Sequence, residues 1–418
     1  MSLTLRIFLS LVAGLATGAA LAAFATPDTA TAIGDVLAPI GGLWLDALQM
    51  VVIPLVIGLL FTGIADAAGT ARTSRLAGRA LLLFATLIAA TAIFGAVFVP
   101  WLLSVWPASL DAAQAIIGAE AAPPAATSLD LGAWLRSFIT TNPFKALAEA
   151  NMLQLVVFTG LFALAATKLP DEQRKALVGI FNGLTGAMLT LVNWVLWLGP
   201  IGVFALSAQV GIRAGLDAIG VLAHYVAVVS LTQIILIVAL YGLALFTRTG
   251  LIGFARGVLP AQVVAVSTQS SIASLPAMVT AATGPLRVPA PVAKLVLPMA
   301  VAVFRYTSAP ANLAVALYVA HLNGMELGLA TLVAGAAVAF AVSVAAVGLP
   351  GQVSFITSVG PICIAMGIPL EALPLLIAVE MLPDIFRTFG NVTADVAATA
   401  VLARNEPPDH EKLDNEPV

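Results

Sequence analysis

The chain has 418 residues, of which 61% are hydrophobic and 9% charged, with a mean hydropathy of +1.05 and a net charge of −3. Apolar runs of roughly 20 residues, enough to cross a bilayer, recur along it, so the composition excludes an ordinary soluble protein and predicts an all-α polytopic membrane protein. No basic run could bind nucleic acid, the single Cys363 excludes an intrachain disulfide, and three scattered histidines offer no metal cluster.

Six apolar segments in the first 250 residues predict membrane-spanning helices. Their approximate bounds are 5–24, 40–64, 80–105, 152–166, 177–210 and 219–246. The first could instead be a secretory signal, since small residues at 23 and 25 resemble a cleavage site. We favour an uncleaved helix, because the apolar run is long for a signal peptide and Arg6 is its only basic flank.

Basic residues between the segments indicate which loops face the cytoplasm. They follow the second and fourth segments as Arg72, Arg75, Arg79, Lys168, Arg174 and Lys175. The positive-inside rule places these loops and both termini in the cytoplasm of an inner (plasma) membrane protein. The Ala/Pro-rich loop 106–143 is then external, and the polar residues 405–418 are a disordered cytoplasmic tail.

Two later apolar stretches are interrupted in the middle by helix-breaking residues. The first interruption is serine-rich, at 267–276, and the second, at 343–351, contains Gly and Pro. Each predicts a re-entrant hairpin, which is how transporters place irregular backbone beside a binding site; two Pro-kinked spanning helices remain the alternative. Between them, Pro310 predicts a broken helix near Thr307 within 291–321.

Polar residues line one face of the last long apolar segment. They are Glu380, Asp384, Arg387, Asn391 and Asp395. At about 100° per residue these positions fall within one narrow arc of a helix. An arginine at bilayer depth costs at least ~2.5 kcal/mol and therefore faces partners or a water-filled cavity. The arc predicts a solute-binding face, and a second intramembrane arginine, Arg305, also demands counter-charges.

The order of these elements resembles the dicarboxylate/amino acid:cation symporter family across almost the whole chain. The most specific motifs are 387–395, 348–351, 270–271 with 275–276, and 199–205. The resemblance implies eight transmembrane helices plus two re-entrant hairpins, assembled as a homotrimer in the lipid bilayer and working as an elevator. Its fixed scaffold would comprise 1–72 and 128–215, and its mobile transport domain 73–127 and 216–404, ahead of the tail 405–418.

The resemblance also implies roles for single residues. Arg387 would grip the side-chain carboxylate of an acidic substrate, Asp384 its amino group and Asn391 its α-carboxylate. Asp395, with Asn391, would ligate sodium. Further substrate contacts would come from Thr388, Ser270, Ser271 and Gly348, and support for the binding residues from Glu380, Tyr306 and Ser308. A mutual ion pair between Asp384 and Arg387 remains the alternative.

The sequence departs from the family in the broken helix. The family motif Asn-Met-Asp-Gly-Thr is replaced by residues 304–308, Phe-Arg-Tyr-Thr-Ser. Phenylalanine and tyrosine supply no comparable carboxylate, so we expect at least one sodium site to be lost. We expect Arg305, which keeps its charge, to pair permanently with Asp395; in the alternative it binds a second substrate carboxylate.

We therefore expect a secondary active transporter for acidic amino acids or related dicarboxylates. Its coupling ion would be sodium or a proton, or it would run as an exchanger, and it would need no cofactor and no nucleic acid. An uncoupled uniporter or anion-conducting channel on the same fold is the second hypothesis. A membrane enzyme or sensor is the third, although the chain has no recognisable nucleophile and base pair or phosphate loop.

Overall fold

The computed structural model describes residues 3–71, 75–108, 136, 138–214, 217–345 and 351–405. Its first half contains α1 (Leu3–Phe24), α2 (Pro27–Ala71), α3 (Arg75–Val105), α4 (Pro143–Ala148), α5 (Met152–Ala166), α6 (Asp171–Trp197), α7 (Gly199–Ala214) and α8 (Asp217–Tyr241). Its second half contains α9 (Gly250–Thr268), α10 (Ser271–Thr283), α11 (Ala290–Val303), α12 (Ser308–Leu322), α13 (Leu329–Ala345), α14 (Gly351–Met366), α15 (Leu373–Val379) and α16 (Met381–Leu402). Short 3₁₀ turns lie at Leu243–Phe246 and Ala403–Asn405.

The described residues are helical and contain seven segments long and apolar enough to cross a membrane. This confirms the prediction of an all-α polytopic membrane protein. The finer prediction, eight spanning helices plus two hairpins working as an elevator, is not decided by helix length and composition. Most of the external loop 106–143 and residues 406–418 of the predicted tail lie outside the described residues.

Small residues let α1 lie directly against α7. A Cβ added at Gly18 would come within 2.1 Å of the backbone oxygen of Ala208, and one at Gly211 within 2.5 Å of that of Leu15. Because lipid tails are as apolar as leucine, helices in a bilayer associate largely through such close packing. Helix α2 packs on α5, α6 and α7, so these helices form one body in the first half of the chain.

The predicted span 177–210 is wrong as a single helix. The structure ends α6 at Trp197 and begins α7 at Gly199. Pro200 has no backbone N–H to donate to the carbonyl of Leu196, which interrupts the ladder of hydrogen bonds at this point. The second span also begins earlier than predicted, since α2 starts at Pro27 and tolerates two internal prolines.

The predicted turn within 267–276 is confirmed. Gln269 takes a left-handed conformation with φ of +50°, and Ser270 caps the next helix by accepting a hydrogen bond from the backbone N–H of Ala273 at 3.3 Å. Helices α9 and α10 pack against each other. The 13 residues of α10 span only ~20 Å, short of a ~30 Å hydrocarbon core, which favours a re-entrant hairpin over two kinked spanning helices.

The break predicted near Thr307 is also confirmed, because α11 ends at Val303 and α12 begins at Ser308. Pro310 lies in the first turn of α12, where its missing N–H costs nothing. Helices α13 and α14 pack as a pair, as the second hairpin requires. The residues joining them, 346–350, lie outside the described residues, and with them the predicted substrate contact Gly348.

Helix α16 lies in the second half of the chain and packs against α8, α9, α10 and α11. Nearly all of its side chains from Asp384 onward are buried in protein. The break between α11 and α12 faces its polar residues through Thr307 and Asn391, and Arg305 of the same break reaches Ser271 at the start of α10. This arrangement places the predicted binding face inside one helical body and away from lipid.

Candidate functional site

Asn391 holds the break between α11 and α12 in place. The backbone N–H of Thr307 and its hydroxyl each lie 2.9 Å from Asn391 Oδ1, while Asn391 Nδ2 donates to Ser308 Oγ at 2.9 Å. The backbone N–H can only donate, so it fixes which amide atom is the oxygen. Asn391 thereby satisfies a backbone donor that the interrupted helix would leave unpaired.

A glycine makes this contact possible. A Cβ added at Gly390 would lie 2.4 Å from Thr307 Cγ2 and 3.0 Å from Thr307 Oγ1. The Thr307 hydroxyl also lies 2.7 Å from the carbonyl oxygen of Arg387, and Thr307 is fully buried. Gly390 therefore lets the broken helix approach the backbone of α16 closely enough to form these hydrogen bonds.

Arg387 is buried among carboxylates of its own segment. Its Nη2 donates to Glu380 Oε1 and its Nη1 to Asp384 Oδ1, the latter at 3.2 Å. The three residues are 3%, 2% and 5% exposed, so these contacts are screened little by solvent. The ion pair between Asp384 and Arg387, which the sequence left as an alternative, is present, and Glu380 joins it.

Glu380 lies at a break that the sequence pattern did not predict. It separates α15 from α16, because Pro383 has no N–H to donate to the carbonyl of Val379. Glu380 keeps right-handed helical angles, and its carbonyl still accepts the N–H of Asp384 at 2.9 Å. The break therefore leaves Glu380 on the same face as Arg387, as the arc of polar residues predicted.

Tyr225 completes this cluster from α8. It is fully buried, its hydroxyl donates to Glu380 Oε2, and its ring lies 5.4 Å from that of Tyr318. Sequence analysis missed Tyr225. The available signal was weak, a tyrosine beside His224 within an apolar helix, and nothing in the local pattern indicated a partner 155 residues away.

Arg305 points toward the first hairpin. Its Nη1 donates to Ser271 Oγ at 3.2 Å and its Nη2 to the carbonyl of Val301 at 3.0 Å. Arg305 and Ser271 are both buried, which brings two predicted substrate contacts together. The carboxylates of Asp395 and Asp384 are the negative charges that interact with Arg305.

Asp395 does not form the ion pair with Arg305 that was predicted. It is 1% exposed, and neither of its carboxylate oxygens has a hydrogen-bond partner among the described residues. Arg305 instead donates hydrogen bonds to Ser271 and to the carbonyl of Val301, so the two groups interact through their charges and not through a direct hydrogen bond. Its charge remains close enough to weaken a cation site built on Asp395.

The other predicted residues occupy defined positions around this centre. Thr388 is buried one residue after Arg387, and Ser270 is partly exposed at the start of α10. The Tyr306 hydroxyl donates to the carbonyl of Leu236 at 3.3 Å, and the Tyr306 carbonyl accepts from Thr91 at 2.9 Å. Tyr306 thus anchors the break to α8 and α3.

These residues fit a sodium ion poorly. Asn391 Oδ1 accepts the backbone N–H of Thr307, the Tyr306 carbonyl accepts the Thr91 hydroxyl, and Phe304 offers no side-chain oxygen. Asp395 is then the carboxylate of this cluster that has no hydrogen-bond partner among the described residues. The described residues contain no group of three or more acidic, histidine or cysteine side chains able to hold a metal ion. An apolar cavity of about 600 Å³ between α2, α3, α5 and α13 does not touch this cluster.

The chemistry of the cluster suits a carboxylate ligand. A guanidinium presents donors in a planar fork that matches a carboxylate, and Glu380 and Asp384 already occupy two donors of Arg387. Arg387 Nε is buried and has no partner among the described residues. A carboxylate that binds the two terminal nitrogens of Arg387 would displace an internal one, so binding there is an exchange of partners around one guanidinium.

Comparisons with known proteins place the whole chain in one group of sequences. Residues 3–405 match the model of the sodium:dicarboxylate symporter family. The chain is 27% identical to the proton/glutamate-aspartate symporter of Escherichia coli, over 89% of this chain and 86% of that protein. It is 25% identical to the C4-dicarboxylate transport protein of Rhizobium johnstonii, over 96% and 89%. It is 29% identical to the neutral amino acid transporter B(0) of Oryctolagus cuniculus, over 87% and 72%.

Proposed function

The chain belongs to the sodium:dicarboxylate symporter family, and from this we propose that it is a secondary active transporter carrying an acidic amino acid or a related dicarboxylate across the inner membrane. Its relatives are transporters, in agreement with the prediction that the chain is not an enzyme. The observation that carries the proposal is Arg387, a buried guanidinium whose partners are carboxylates. Such a group binds an acidic solute by exchanging one carboxylate for another.

Asp384 favours an amino acid over a simple dicarboxylate. When a substrate carboxylate takes the donors of Arg387, Asp384 loses its ion pair and needs a new positive partner. The α-amino group of aspartate or glutamate supplies one, whereas succinate does not. Asn391 already uses its oxygen for Thr307, so it would contact an α-carboxylate through an amide N–H.

The packing supports the proposed division into a scaffold and a moving domain. Helices α1, α2, α6 and α7 pack on one another, while α16 packs with α8 and both arms of the first hairpin. The polar cluster belongs to the second group. An elevator carries such a cluster through the membrane as part of a sealed body, within a homotrimer held together by the scaffold helices.

We propose that sodium coupling is reduced and replaced by proton coupling or exchange. Three features support this: Phe304 and Tyr306 stand where the related family motif has asparagine and aspartate, Asn391 Oδ1 is already used, and Arg305 places a positive charge near Asp395. An uncoupled uniporter or anion channel is the second candidate, because losing the cation sites removes a means of coupling.

Two measurements on the purified full-length protein test the proposal. In a thermal-shift screen, aspartate or glutamate should raise the melting temperature, since a ligand that binds the native state stabilises it. Succinate, malate and neutral amino acids complete the panel, each with sodium chloride or choline chloride at equal ionic strength. No stabilisation by any acidic ligand would contradict the proposed substrate class.

In proteoliposomes, labelled substrate should accumulate above its external concentration when a proton gradient is imposed or when unlabelled substrate is present inside. Protein-free vesicles are the control. Equilibration without accumulation under every gradient would favour the uniporter or channel. A strict requirement for several sodium ions would overturn the proposal that sodium coupling has been reduced.

A further inference from the structure

The contacts of Glu380 differ from those expected of a residue that merely supports the site. One carboxylate oxygen receives a hydrogen bond from Arg387 and the other from Tyr225. Glu380 is 2% exposed and Tyr225 is fully buried. Glu380 therefore competes with the proposed substrate carboxylate for Nη2 of Arg387, and Tyr225 of α8 holds it there.

The charges of the cluster explain why displacing a carboxylate from Arg387 favours its protonation. Two guanidinium groups, Arg305 and Arg387, are buried with three carboxylates, Glu380, Asp384 and Asp395. The cluster carries one net negative charge when all five are ionised. An acidic amino acid adds a further negative charge to this buried site, and an unpaired buried carboxylate is strongly unfavourable. Binding is easiest if one carboxylate becomes neutral as the substrate enters.

Asp395 lacks a hydrogen-bond partner among the described residues before any substrate binds, so its surroundings need not change on binding. Glu380 is the carboxylate that loses a partner when the substrate takes Arg387, which makes it the one best placed to become neutral in step with binding. The groups that face it are Arg387 and Asp384 of α16 and Tyr225 of α8, and the ring of Tyr318 of α12 lies behind Tyr225. If the substrate takes Arg387, Asp384 gains the substrate amino group, but Glu380 gains no cation. It keeps its hydrogen bond from Tyr225, and its other oxygen is left without a partner.

We propose that Glu380 is the proton carrier of this transporter and the internal competitor of its substrate. When the substrate carboxylate binds Arg387, the freed Oε1 of Glu380 takes one proton from water on the side from which the substrate enters. The proton crosses with the substrate. On release to the other side Glu380 gives the proton to water and pairs again with Arg387, which returns the empty cluster to its original charge.

This inference rests on the proposed function, and it assigns the coupling ion to one residue. Proton uptake linked to binding makes the substrate Kd depend on pH, by up to tenfold per pH unit where Glu380 is ionised in the free protein. Glu380→Gln mimics the protonated side chain and cannot compete as an anion. Its Kd should change by less than about twofold over the range in which the wild-type Kd rises tenfold per unit.

Transport by the full-length protein in proteoliposomes gives the decisive comparison, with labelled L-glutamate and L-aspartate outside and a pH-sensitive dye inside. Wild type should acidify the lumen as substrate enters and accumulate substrate when the outside is acidic. Glu380→Gln should retain exchange of internal for external substrate but lose both lumen acidification and pH-driven accumulation. Glu326→Gln, at an exposed glutamate of the same chain, should behave as wild type.

Tyr225→Phe tests the same assignment without touching the carboxylate. It removes a hydrogen bond that stabilises the Glu380 anion, so protonation becomes easier. The pH midpoint of substrate binding should move upward by about one unit or more. Tyr318→Phe is the matched control, because Tyr318 is also buried but donates to the carbonyl of Val221 and not to Glu380.

The outcomes distinguish an error in the proposed function from an error in the assignment of Glu380 as the proton carrier. If neither these two amino acids nor labelled succinate or malate enters wild-type vesicles under any gradient, the proposed function is wrong and this inference falls with it. If wild type transports without moving protons, or if Glu380→Gln keeps its pH slope and lumen acidification, the inference alone is overturned. If Glu380→Gln does not fold, as judged by size-exclusion chromatography, an unchanged pH midpoint in Tyr225→Phe overturns it.

Discussion

The two ends of the polar face of α16 differ in how their charges are satisfied. At one end Arg387 is paired with Glu380 and Asp384, and Tyr225 holds Glu380 from α8. At the other end, one helical turn beyond Asn391, the carboxylate of Asp395 has no hydrogen-bond partner among the described residues. The same helix thus carries an arginine paired with neighbouring carboxylates and a carboxylate without a hydrogen-bond partner among the described residues.

This difference distinguishes the proposed substrate site at Arg387 from the proposed cation site at Asp395. Exchanging one carboxylate for another around Arg387 never leaves the guanidinium buried and alone, although the displaced carboxylate then needs a proton or a new partner. A cation site at Asp395 would need further oxygen ligands, and the broken helix instead presents Phe304, which stacks on Phe84 with ring centroids 4.5 Å apart. These contacts support the proposal that substrate binds at the Arg387 end and that the Asp395 end holds sodium weakly or not at all.

Removing the guanidinium should have the largest effect on the substrate end. Arg387→Gln should weaken aspartate and glutamate binding by more than about 100-fold, since hydrogen bonds between charged groups are worth about 1.5–3 kcal/mol each. It should also lower the melting temperature, because breaking a buried ion pair leaves uncompensated carboxylates and costs about 3–5 kcal/mol. Isothermal titration calorimetry and thermal unfolding measure the two effects.

The control for this variant is Arg213→Gln, which removes an exposed arginine from α7. It should change neither substrate affinity nor melting temperature. If Arg387→Gln still bound aspartate with near wild-type affinity, Arg387 would be a structural ion pair and the substrate site would lie elsewhere.

Asp384→Ala should distinguish amino acids from dicarboxylates. The variant loses the proposed partner of the substrate amino group, so aspartate and glutamate should bind about 10- to 100-fold more weakly. Succinate, which has no amino group, should bind unchanged or more tightly, because a negative charge has left the site. A competition assay over both ligand classes checks this, and equal losses for both would count against the assigned role.

At the cation end, Arg305→Met should restore a response to sodium. Without the guanidinium, sodium can approach Asp395, and sodium should then raise substrate affinity by roughly fivefold or more, a common size for coupling between two sites. Adding Asp395→Asn to this variant should abolish the gain. Arg256→Met, which removes an exposed arginine from α9, is the control. If Arg305→Met instead abolishes binding, Arg305 is a substrate ligand beside Ser271.

Much of this organisation could be predicted from the sequence, because it depends on local backbone chemistry. Pro310 and the serine-rich stretch 267–276 predicted where α11 and α9 end. The spacing from Glu380 to Arg387 predicted that their side chains share a face, and the structure joins them directly. Helical periodicity and the positions of prolines depend only on residues that are close in the sequence, so they can be predicted from one sequence alone.

The choice of partners could not be predicted in the same way. Arg305 has five donors on a long side chain. Its distance from Asp395 along the sequence does not determine whether it hydrogen-bonds to Asp395 or to Ser271. Tyr225 reaches Glu380 across 155 residues, and Asn391 binds Thr307 across 84. The helix breaks at Leu198 and Glu380 were not predicted, because each lies within a long apolar run that resembles one continuous helix despite Pro200 and Pro383.

Gly390 joins the two ends, since it lies between Arg387 and Asn391 and lets Thr307 hydrogen-bond near both. Gly390→Ala would place a methyl group 2.4 Å from Thr307 Cγ2, so Thr307 must move. We expect a cost of about 1–3 kcal/mol, typical of overpacking, seen as a lower melting temperature. Gly183→Ala is the matched control, because nothing lies within 4 Å of its added Cβ in the middle of α6, and alanine there should be neutral or stabilising.

The Gly390 variant also shows whether the two ends act together. Thr307 bonds to the backbone of Arg387 and to the side chain of Asn391, so moving it should disturb the substrate end even though no charged group has changed. We expect the loss in aspartate affinity to be smaller than in Asp384→Ala and to be relieved by Thr307→Ser, which keeps the hydroxyl and removes the Cγ2 methyl that meets the new side chain. Lower stability with unchanged affinity would mean that the broken helix supports the fold without positioning the substrate site.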